Sequence, residues 1–354
     1  MRFFAKKLNL SGSPNLSRVT YDQWPYNDEG EVEMSIRNLV QVLLGAGLIL
    51  LQQAAYADGL KLLRYGPVGA EKPGVLDSEG RIRDLSQHIE DIDPSTLAMI
   101  PNLKGIDITE LPLVEGEPRI GLPVAGTSKI IAIGFNYKAH ASEMTTALPK
   151  EPLVFMKAVS ALHGPYDPVQ TPRASHKLDY EAELVIIIGR RAQYVSKASA
   201  LDYVAGYSVG HDVSEREFQR ERGGQFVKGK SADTFAPIGP WLVTPDALAD
   251  VQKLKIWSKV NGDMRQNAST EDMIFSAATI VSYVSQFMTL EPGDAIFTGT
   301  PAGVGAGMTP PTYLKPGDVV EIGIEGLGVQ KQIVLSALEA MSEKSPRSIN
   351  TTGA

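Results

Sequence analysis

The sequence contains no cysteine among its 354 residues. That absence excludes disulfide bonds, thiol catalysis and zinc or iron–sulfur centres held by cysteine. The chain also lacks an excess of basic charge, since 34 Lys and Arg face 41 Asp and Glu and give a formal net charge of −7. Such a chain has no basic field for nucleic acid, and an anionic small molecule must be met by a local cluster of cations. No internal repeat is visible in the sequence, which argues against a solenoid or a propeller.

Long hydrophobic runs are scarce, and the most prominent one extends from Leu39 to Leu51. Arg37 precedes this run, and an Ala-x-Ala cleavage pattern follows it. The pattern predicts a secretory signal peptide over 34–57 with a translation start at Met34. The run is too short for a membrane span of about 20 residues, and a buried helix is the alternative interpretation. We therefore expect an exported, periplasmic protein if this segment is cleaved and a cytoplasmic one if it is not.

The remainder of the chain is predicted to be a β-rich α+β protein, because strands dominate and helices do not alternate with them strictly. We expect four parts: a leader over 1–57, a small N-terminal β domain over 58–120, a catalytic domain over 121–336 and a polar tail over 337–354. The turn at Asp77–Gly80 predicts a hairpin within the small domain. The strands expected in the larger domain are Lys129–Gly134, Pro152–Phe155, Glu183–Gly189, Tyr203–Val209, Leu254–Val260, Asp294–Phe297 and Asp318–Ile324. The helices expected there are Tyr137–Met144, Ser196–Leu201, Ser214–Arg222 and Glu271–Gln286.

Three acidic residues stand beside apolar strands. Glu181 and Glu183 would point to the same face of a strand, because side chains alternate with a period of two. Two ionised carboxylates next to a buried run repel each other, and a divalent cation would relieve that cost. Carboxylate ligands suit Mg²⁺, Mn²⁺ or Ca²⁺, although a solvated strand edge is the commoner reading of such a pair. Asp212 ends another apolar strand, where capping of a helix near Ser214 is the simpler role.

A possible acid–base pair is formed by His140 and Glu143, which are three residues apart on a predicted helix. A carboxylate that orients a histidine keeps the ring available as a base near neutral pH, whereas a surface pair would have little value. Lys230 is a candidate cation for an anionic substrate, although a lysine in an exposed loop is usually just solvated. The segment from Gly224 to Ser231 matches the P-loop pattern formally, but no buried strand precedes it, so nucleotide binding is rejected.

Taken together, these segments resemble the fumarylacetoacetate hydrolase family over roughly residues 61–336. The resemblance depends on several separated motifs in family order: GFNYKAHASE at 134–143, DYEAE at 179–183, HDVSEREFQ at 211–219, KGKSADTFAPIGP at 228–240 and GDAIFTGTPAGVG at 293–305. Within the family, the chain looks most similar to bacterial 2,4-diketo-3-deoxy-sugar-acid hydrolases and to ureidoglycolate lyase-like members. His211 is a departure, since Asn is more frequent there, and it could perturb the hydration of a metal site.

The resemblance implies a mixed β-roll catalytic domain, a smaller N-terminal domain and a homodimer. It also implies one Mg²⁺ or Mn²⁺ per active site and a small-molecule 2-oxo acid substrate, with no nucleic-acid partner and no stable membrane span. The implied roles are metal ligation by Glu181, Glu183 and Asp212, water activation on a mobile lid by His140 and Glu143, catalysis by Lys230, and substrate binding by Arg216, Gln219 and Thr300.

The expected reaction is hydrolysis of the C3–C4 bond of a 2,4-diketo (acylpyruvate-type) acid, which releases pyruvate. Oxaloacetate tautomerisation or decarboxylation, hydration of a 2-oxo-enoic acid and ureidoglycolate cleavage remain alternatives for the same site, because the distal pocket selects among them. A non-catalytic 2-oxo acid binding protein is a further alternative. The His140–Glu143 pair argues against it, since simple binding needs no group that activates water.

Overall fold

The computed structural model describes residues 59–337. The predicted signal peptide, the rest of the leader and nearly all of the polar tail lie outside these residues. The strands are β1 (Lys61–Tyr65), β2 (Lys72–Leu76), β3 (Ile82–Asp84), β4 (Ile130–Gly134), β5 (Leu153–Lys157), β6 (Leu162–His163), β7 (Val169–Gln170), β8 (Leu178–Asp179), β9 (Ala182–Ile188), β10 (Val204–His211), β11 (Ser214–Glu215), β12 (Ala236–Val243), β13 (Lys255–Val260), β14 (Asp263–Ser269), β15 (Ala295–Phe297), β16 (Val319–Ile324) and β17 (Gly328–Leu335).

Helices are short and occur between the strands. The α-helices are α1 (Ile100–Leu103), α2 (Lys138–Glu143), α3 (Arg216–Arg220), α4 (Val227–Lys230) and α5 (Ala277–Val284). The 3₁₀ turns are Leu97–Met99, Ile108–Glu110, Val159–Ala161, Lys197–Tyr203, Pro245–Ala247, Val251–Lys253, Thr270–Asp272 and Gly305–Gly307. Within residues 59–337, no helix combines the length and the hydrophobicity needed to cross a bilayer.

Most strands belong to one large sheet with the order β3-β2-β1-β12-β10-β9-β15-β4-β5, to which β6 adds by pairing with β12. A second sheet has the order β14-β13-β16-β17-β7, and β8 pairs with β11 separately. The second sheet packs on the first where β13 and β16 contact β9 and β10, and every residue of β9 and β10 is buried. This strand-rich architecture, with open sheet edges among the described strands, confirms the predicted α+β class.

The small N-terminal segment is continuous with the large sheet. Strand β1 runs antiparallel to β12, with Leu62 opposite Leu242, and the predicted hairpin joins β2 to β3. Backbone hydrogen bonds of one sheet therefore join the predicted N-terminal domain to the predicted catalytic domain. The division of the chain into two domains near residue 120 stays a prediction.

Two predicted helices are shorter than expected. Ser214 and Glu215 form a strand instead of a helical turn, and the Glu215 carboxylate accepts the Phe218 N–H at 2.7 Å. Glu215 is therefore the N-cap of α3, and the expectation that Asp212 caps this helix is wrong. In the other case, Ser276 caps α5, so the helix begins well after Glu271.

Candidate active site

The three predicted metal ligands converge because β9 and β10 are antiparallel neighbours. The beginning of β9 lies beside the end of β10: Glu183 is opposite Gly210, and the Asp212 N–H donates to the Glu181 carbonyl at 3.0 Å. As a result, one carboxylate oxygen from each of Glu181, Glu183 and Asp212 lies within 4.8 Å of the other two, and all three residues are buried. The structure thus brings together side chains that the sequence separates by 31 residues.

A loop after β15 forms the next wall of this cluster. Strand β15 pairs with β9, so the residues that follow it continue beside the acidic pair. The Gly299 N–H donates to Glu183 Oε2 at 2.7 Å, and the Thr300 hydroxyl donates to the Ala182 carbonyl at 3.0 Å. Buried Gln266 on β14 donates to the Thr300 hydroxyl at 2.7 Å and fixes its position. Thr300 therefore lines the pocket, and its predicted role in substrate binding stays a prediction. Gln266 is a support that the sequence did not reveal.

Cationic side chains surround the same acids. Lys230 Nζ donates to Glu181 Oε2 and to Asp212 Oδ2, both at 2.6 Å, and Lys157 Nζ contacts the other oxygen of Asp212. Arg216 donates to Glu181 Oε1 at 2.6 Å. Lys230 is fully buried at the end of α4, so the alternative interpretation of a solvated lysine in an exposed loop does not hold. Lys157 is the last residue of β5. The sequence pattern did not predict it as a site residue, and its position after a run of apolar residues was the only indication that it is buried.

The charges in this cluster are unequally compensated. Burial would raise the pKa of Glu181, but the cations Arg216 and Lys230 hold it well below its usual range. Glu183 has no cationic contact among the described residues, and its pKa is raised well above the ordinary value by burial and then by Asp212 and Glu181. Glu183 is therefore the one carboxylate of the three that forms no salt bridge within residues 59–337, although Lys230 and the Gly299 N–H offset part of the cost of its charge.

These residues fit a hard divalent cation. Asp179, Glu181, Glu183 and Asp212 supply four carboxylates against the three cations Lys157, Lys230 and Arg216. Three converging carboxylates without nitrogen or sulfur ligands are the donor set that Mg²⁺ or Mn²⁺ prefers. A cation at this point would allow Glu183 to ionise beside its neighbours.

His140 and Glu143, which the sequence predicts as an acid–base pair, are in contact in the structure. His140 Nδ1 lies 3.0 Å from Glu143 Oε2, and His140 as a whole is 4% exposed. The second oxygen of Glu143 accepts the Gly303 N–H at 2.8 Å. Position 303 has φ +108°, and a Cβ there would lie 2.0 Å from the Arg265 carbonyl, so only glycine fits. Within residues 59–337, His140 Nε2 has no hydrogen-bond partner, which leaves it free to accept a proton.

One pocket is lined by eight of the nine predicted site residues. The remaining residue, Glu143, does not line the pocket but contacts one that does, His140. The eight are His140, Glu181, Glu183, Asp212, Arg216, Gln219, Lys230 and Thr300. The sequence missed the aromatic walls Phe135, Phe155 and Phe226, which motif spacing does not mark. His211 lies behind the acids: burial lowers its pKa to about 4, and its Nδ1 lies 3.0 Å from Gln332 Oε1. It is therefore a neutral side chain below the site.

The comparisons with known proteins agree with this architecture. A protein from Burkholderia multivorans, which carries only a provisional hydrolase name, is 53% identical over 281 residues, covering 78% of this chain and 100% of that protein. The solved fumarylacetoacetate hydrolase from Exiguobacterium antarcticum is 38% identical with a TM-score of 0.71, covering 78% of this chain and 99% of that one. The maleylpyruvate hydrolase from Sphingobium is 30% identical with a TM-score of 0.67, covering 78% and 100%.

The family profile described as "Fumarylacetoacetate (FAA) hydrolase C-terminal" matches residues 129–335, which include every residue of the pocket and more than half of the chain. The chain therefore belongs to the fumarylacetoacetate hydrolase family.

Proposed function

We propose that this protein is a divalent-metal-dependent hydrolase that cleaves the C3–C4 bond of a 2,4-dioxo acid and releases pyruvate. The observation that carries the proposal is the convergence of three buried carboxylates beside the buried His140, which is paired with the half-buried Glu143. The similarity to solved hydrolases that include a maleylpyruvate hydrolase supports it. A bound Mg²⁺ or Mn²⁺ on Glu181, Glu183 and Asp212 would supply positive charge that attracts and polarises a 2-oxo acid.

The side chains of this protein divide the remaining tasks. His140 Nε2 accepts a proton from water, and Glu143 holds the ring and stabilises the imidazolium that forms. The water oxygen adds to C4, and the C3–C4 bond then breaks with its electron pair going to the three-carbon fragment. The proton on His140 returns to C3 of the resulting enolate, so the products are pyruvate and a carboxylic acid. Lys230 stabilises the enolate charge, while Arg216, Gln219 and Thr300 orient the substrate.

Turnover of acetylpyruvate by the purified full chain tests the proposal. With Mg²⁺ or Mn²⁺ we expect one pyruvate and one acetate per substrate, and EDTA should abolish turnover until the metal is restored. Glu181→Gln should reduce kcat/KM about 100-fold or more, because it removes one anionic ligand. The matched control Glu221→Gln changes an exposed carboxylate paired with Lys177 and should retain wild-type turnover.

Two results would contradict the proposal. If Glu181→Gln keeps metal-stimulated turnover, the acidic cluster is not the metal site. If acylpyruvates are inert and oxaloacetate yields pyruvate and CO₂, the same pocket performs decarboxylation instead.

A further inference from the structure

One strained backbone position borders the pocket of the candidate active site. Phe135 has φ +53°, in the left-handed region that bulky side chains rarely adopt, because the Cβ atom there approaches the following carbonyl oxygen. Among the described non-glycine residues with positive φ, Phe135 alone lines the pocket. Strain of this kind persists where the surrounding structure enforces it, and it concentrates at functional sites. The position of this side chain is therefore maintained at a cost in stability.

The chain is held firmly on both sides of Phe135. On one side, Gly134 ends β4, which pairs with β5 along its whole length. On the other side, the Asn136 carbonyl accepts the Ile274 N–H at 2.7 Å, and the Asn136 side-chain amide bonds both backbone polar groups of Phe275. The change of direction between these two anchors falls on residue 135. The anchors explain how an aromatic residue is kept in a conformation that glycine adopts more readily.

The Phe135 ring lies against the imidazole of His140. The two rings are stacked, with centroids 5.7 Å apart and an interplanar angle of 22°. At its edge, the imidazole is held by Glu143, which lies 3.0 Å from Nδ1. The torsion about the Cβ–Cγ bond of a histidine has a broad range, so a contact at one ring atom restrains the ring plane less than a contact across its face. The stacked ring therefore fixes the direction of the free Nε2 atom.

We propose that Phe135 is a positioning residue that holds the His140 imidazole in the orientation needed to activate water, and that the strained backbone is the cost of this placement. The inference rests on the proposed function, which assigns proton transfer to His140 Nε2. Loss of the ring should slow the chemical step, whereas substrate binding, which other residues supply, should change little.

Variants that remove or keep the ring test this role. Phe135→Leu keeps an apolar side chain but cannot stack on the imidazole. With acetylpyruvate and Mg²⁺, this variant should lower kcat about 10-fold or more and leave KM within about 2-fold of the wild-type value. Phe135→Tyr keeps an aromatic ring and should retain most of the wild-type kcat.

A pair of small residues separates backbone strain from the loss of the ring. Phe135→Ala and Phe135→Gly should lose kcat equally, but only glycine relieves the strain, so the Gly variant should melt about 2 °C or more above the Ala variant. Tyr194 is the matched control, because it also has φ +53° but is 70% exposed and is not among the residues that line the pocket. Tyr194→Gly should exceed Tyr194→Ala in melting temperature by a similar amount, and both should keep the wild-type kcat.

A spectroscopic measurement tests the placement of the imidazole without turnover. In protein labelled with ¹³C-histidine, the ring current of Phe135 should shift the ring-proton signals of His140, and His140→Gln identifies these signals by their loss. Phe135→Leu should remove the shift and broaden the signals, because the imidazole then moves between orientations. Phe135→Tyr should retain the shift.

The outcomes separate this role from the proposed function. An unchanged kcat in Phe135→Leu, a raised KM with an unchanged kcat, or equal melting temperatures of Phe135→Ala and Phe135→Gly would each overturn the inference and leave the hydrolase intact. If no 2,4-dioxo acid is cleaved but the His140 signals depend on the ring at position 135, the proposed reaction fails and the placement of the imidazole stands. His140 signals that are identical in the wild type and Phe135→Leu would overturn the placement in either case.

Discussion

Lys157 shows how much of this site depends on a single buried charge. Its ammonium group is fully buried, contacts Asp212 and lies 3.3 Å from the Val213 carbonyl. Burial is the largest influence on the pKa of Lys157 and lowers it to about 8. A lysine held in this way is part of the charge balance of the acidic cluster and not a surface group.

Replacing Lys157 by Met should therefore destabilise the protein by about 3 kcal/mol, because the buried Asp212 carboxylate loses one of its two cationic partners and keeps only Lys230. Urea unfolding in the presence of EDTA measures this cost without a contribution from metal. The matched control is Lys331→Met, which removes an exposed lysine 3.0 Å from Glu321 and should cost less than about 1 kcal/mol. Equal stabilities of the two variants would contradict the expectation.

The residues of the site were largely predictable, but their contacts were not. Motifs fix residue types at fixed spacings, so His140 with Glu143, and Glu181 with Glu183, could be read from local geometry. Lys157 and Gln266 reach the site from strands that only the sheet order brings near it, and no local pattern encodes that order. The same reason hid the location of Lys230, which is buried against Glu181, immediately before β9, and Asp212, immediately after β10.

At the level of the elements, buried polar side chains explain why the sequence pattern did not predict strand β17. Strand β17 buries Gln330 and Gln332 while Ile333 points outward, which inverts the usual alternation of apolar and polar residues. The Gln332 amide donates to Gln330 Oε1 at 2.8 Å and to the Pro165 carbonyl. A hydrophobic pattern detects strands that bury apolar residues, such as β9, and does not detect one whose inner face is polar.

Asn136 connects three elements through one amide. Its Nδ2 donates to the Thr298 carbonyl at 2.7 Å and to the Phe275 carbonyl at 3.0 Å, and its Oδ1 accepts the Phe275 N–H at 2.7 Å. Asn136→Ala should reduce the free energy of unfolding by about 3 kcal/mol, since buried backbone groups lose their partners. Asn267→Ala, on an exposed position of β14, is the control and should change little. Denaturant titration checks both, and an unchanged midpoint for Asn136→Ala would disprove the connection.

The hairpin of β2 and β3 should respond to pH through Asp77. Burial alone would raise the pKa of this carboxyl, but hydrogen bonds from the Arg81 backbone and from the guanidinium groups of Arg83 and Arg81 lower it well below its usual range. A lowered folded-state pKa gives stability that is complete above about pH 4, the unfolded value, and is lost as the pH falls toward the folded one.

Asp77→Asn should therefore lower the melting temperature most at pH 7 and progressively less as the pH approaches 3. Thermal melts across this range measure the difference from wild type. Glu79→Gln alters an exposed carboxylate in the same turn and should show little pH-dependent difference. A Tm difference for Asp77→Asn that is constant with pH would contradict the assignment.

For the whole molecule, the continuous sheet predicts one cooperative unit. Strand β1 is hydrogen-bonded to β12 on one side and to β2 on the other, and β3 pairs with β2. Strands β1 and β12 bury Leu62 and Leu242 completely. Differential scanning calorimetry should give a single transition with a calorimetric enthalpy equal to the van't Hoff enthalpy. Two separated transitions would instead support independent folding of the predicted 58–120 and 121–336 domains.

The hydrogen bond from Gly303 to Glu143 has a consequence for chimeric enzymes. Glu143 on the histidine-bearing helix α2 and Gly303 in the loop after β15 are 160 residues apart in the sequence. The hydrogen bond between them holds the Glu143 carboxylate that contacts His140. If only one of the two segments came from a relative, the Glu143 carboxylate and the Gly303 N–H would no longer be placed to form this hydrogen bond. Recombination between such genes should succeed where both segments come from one parent.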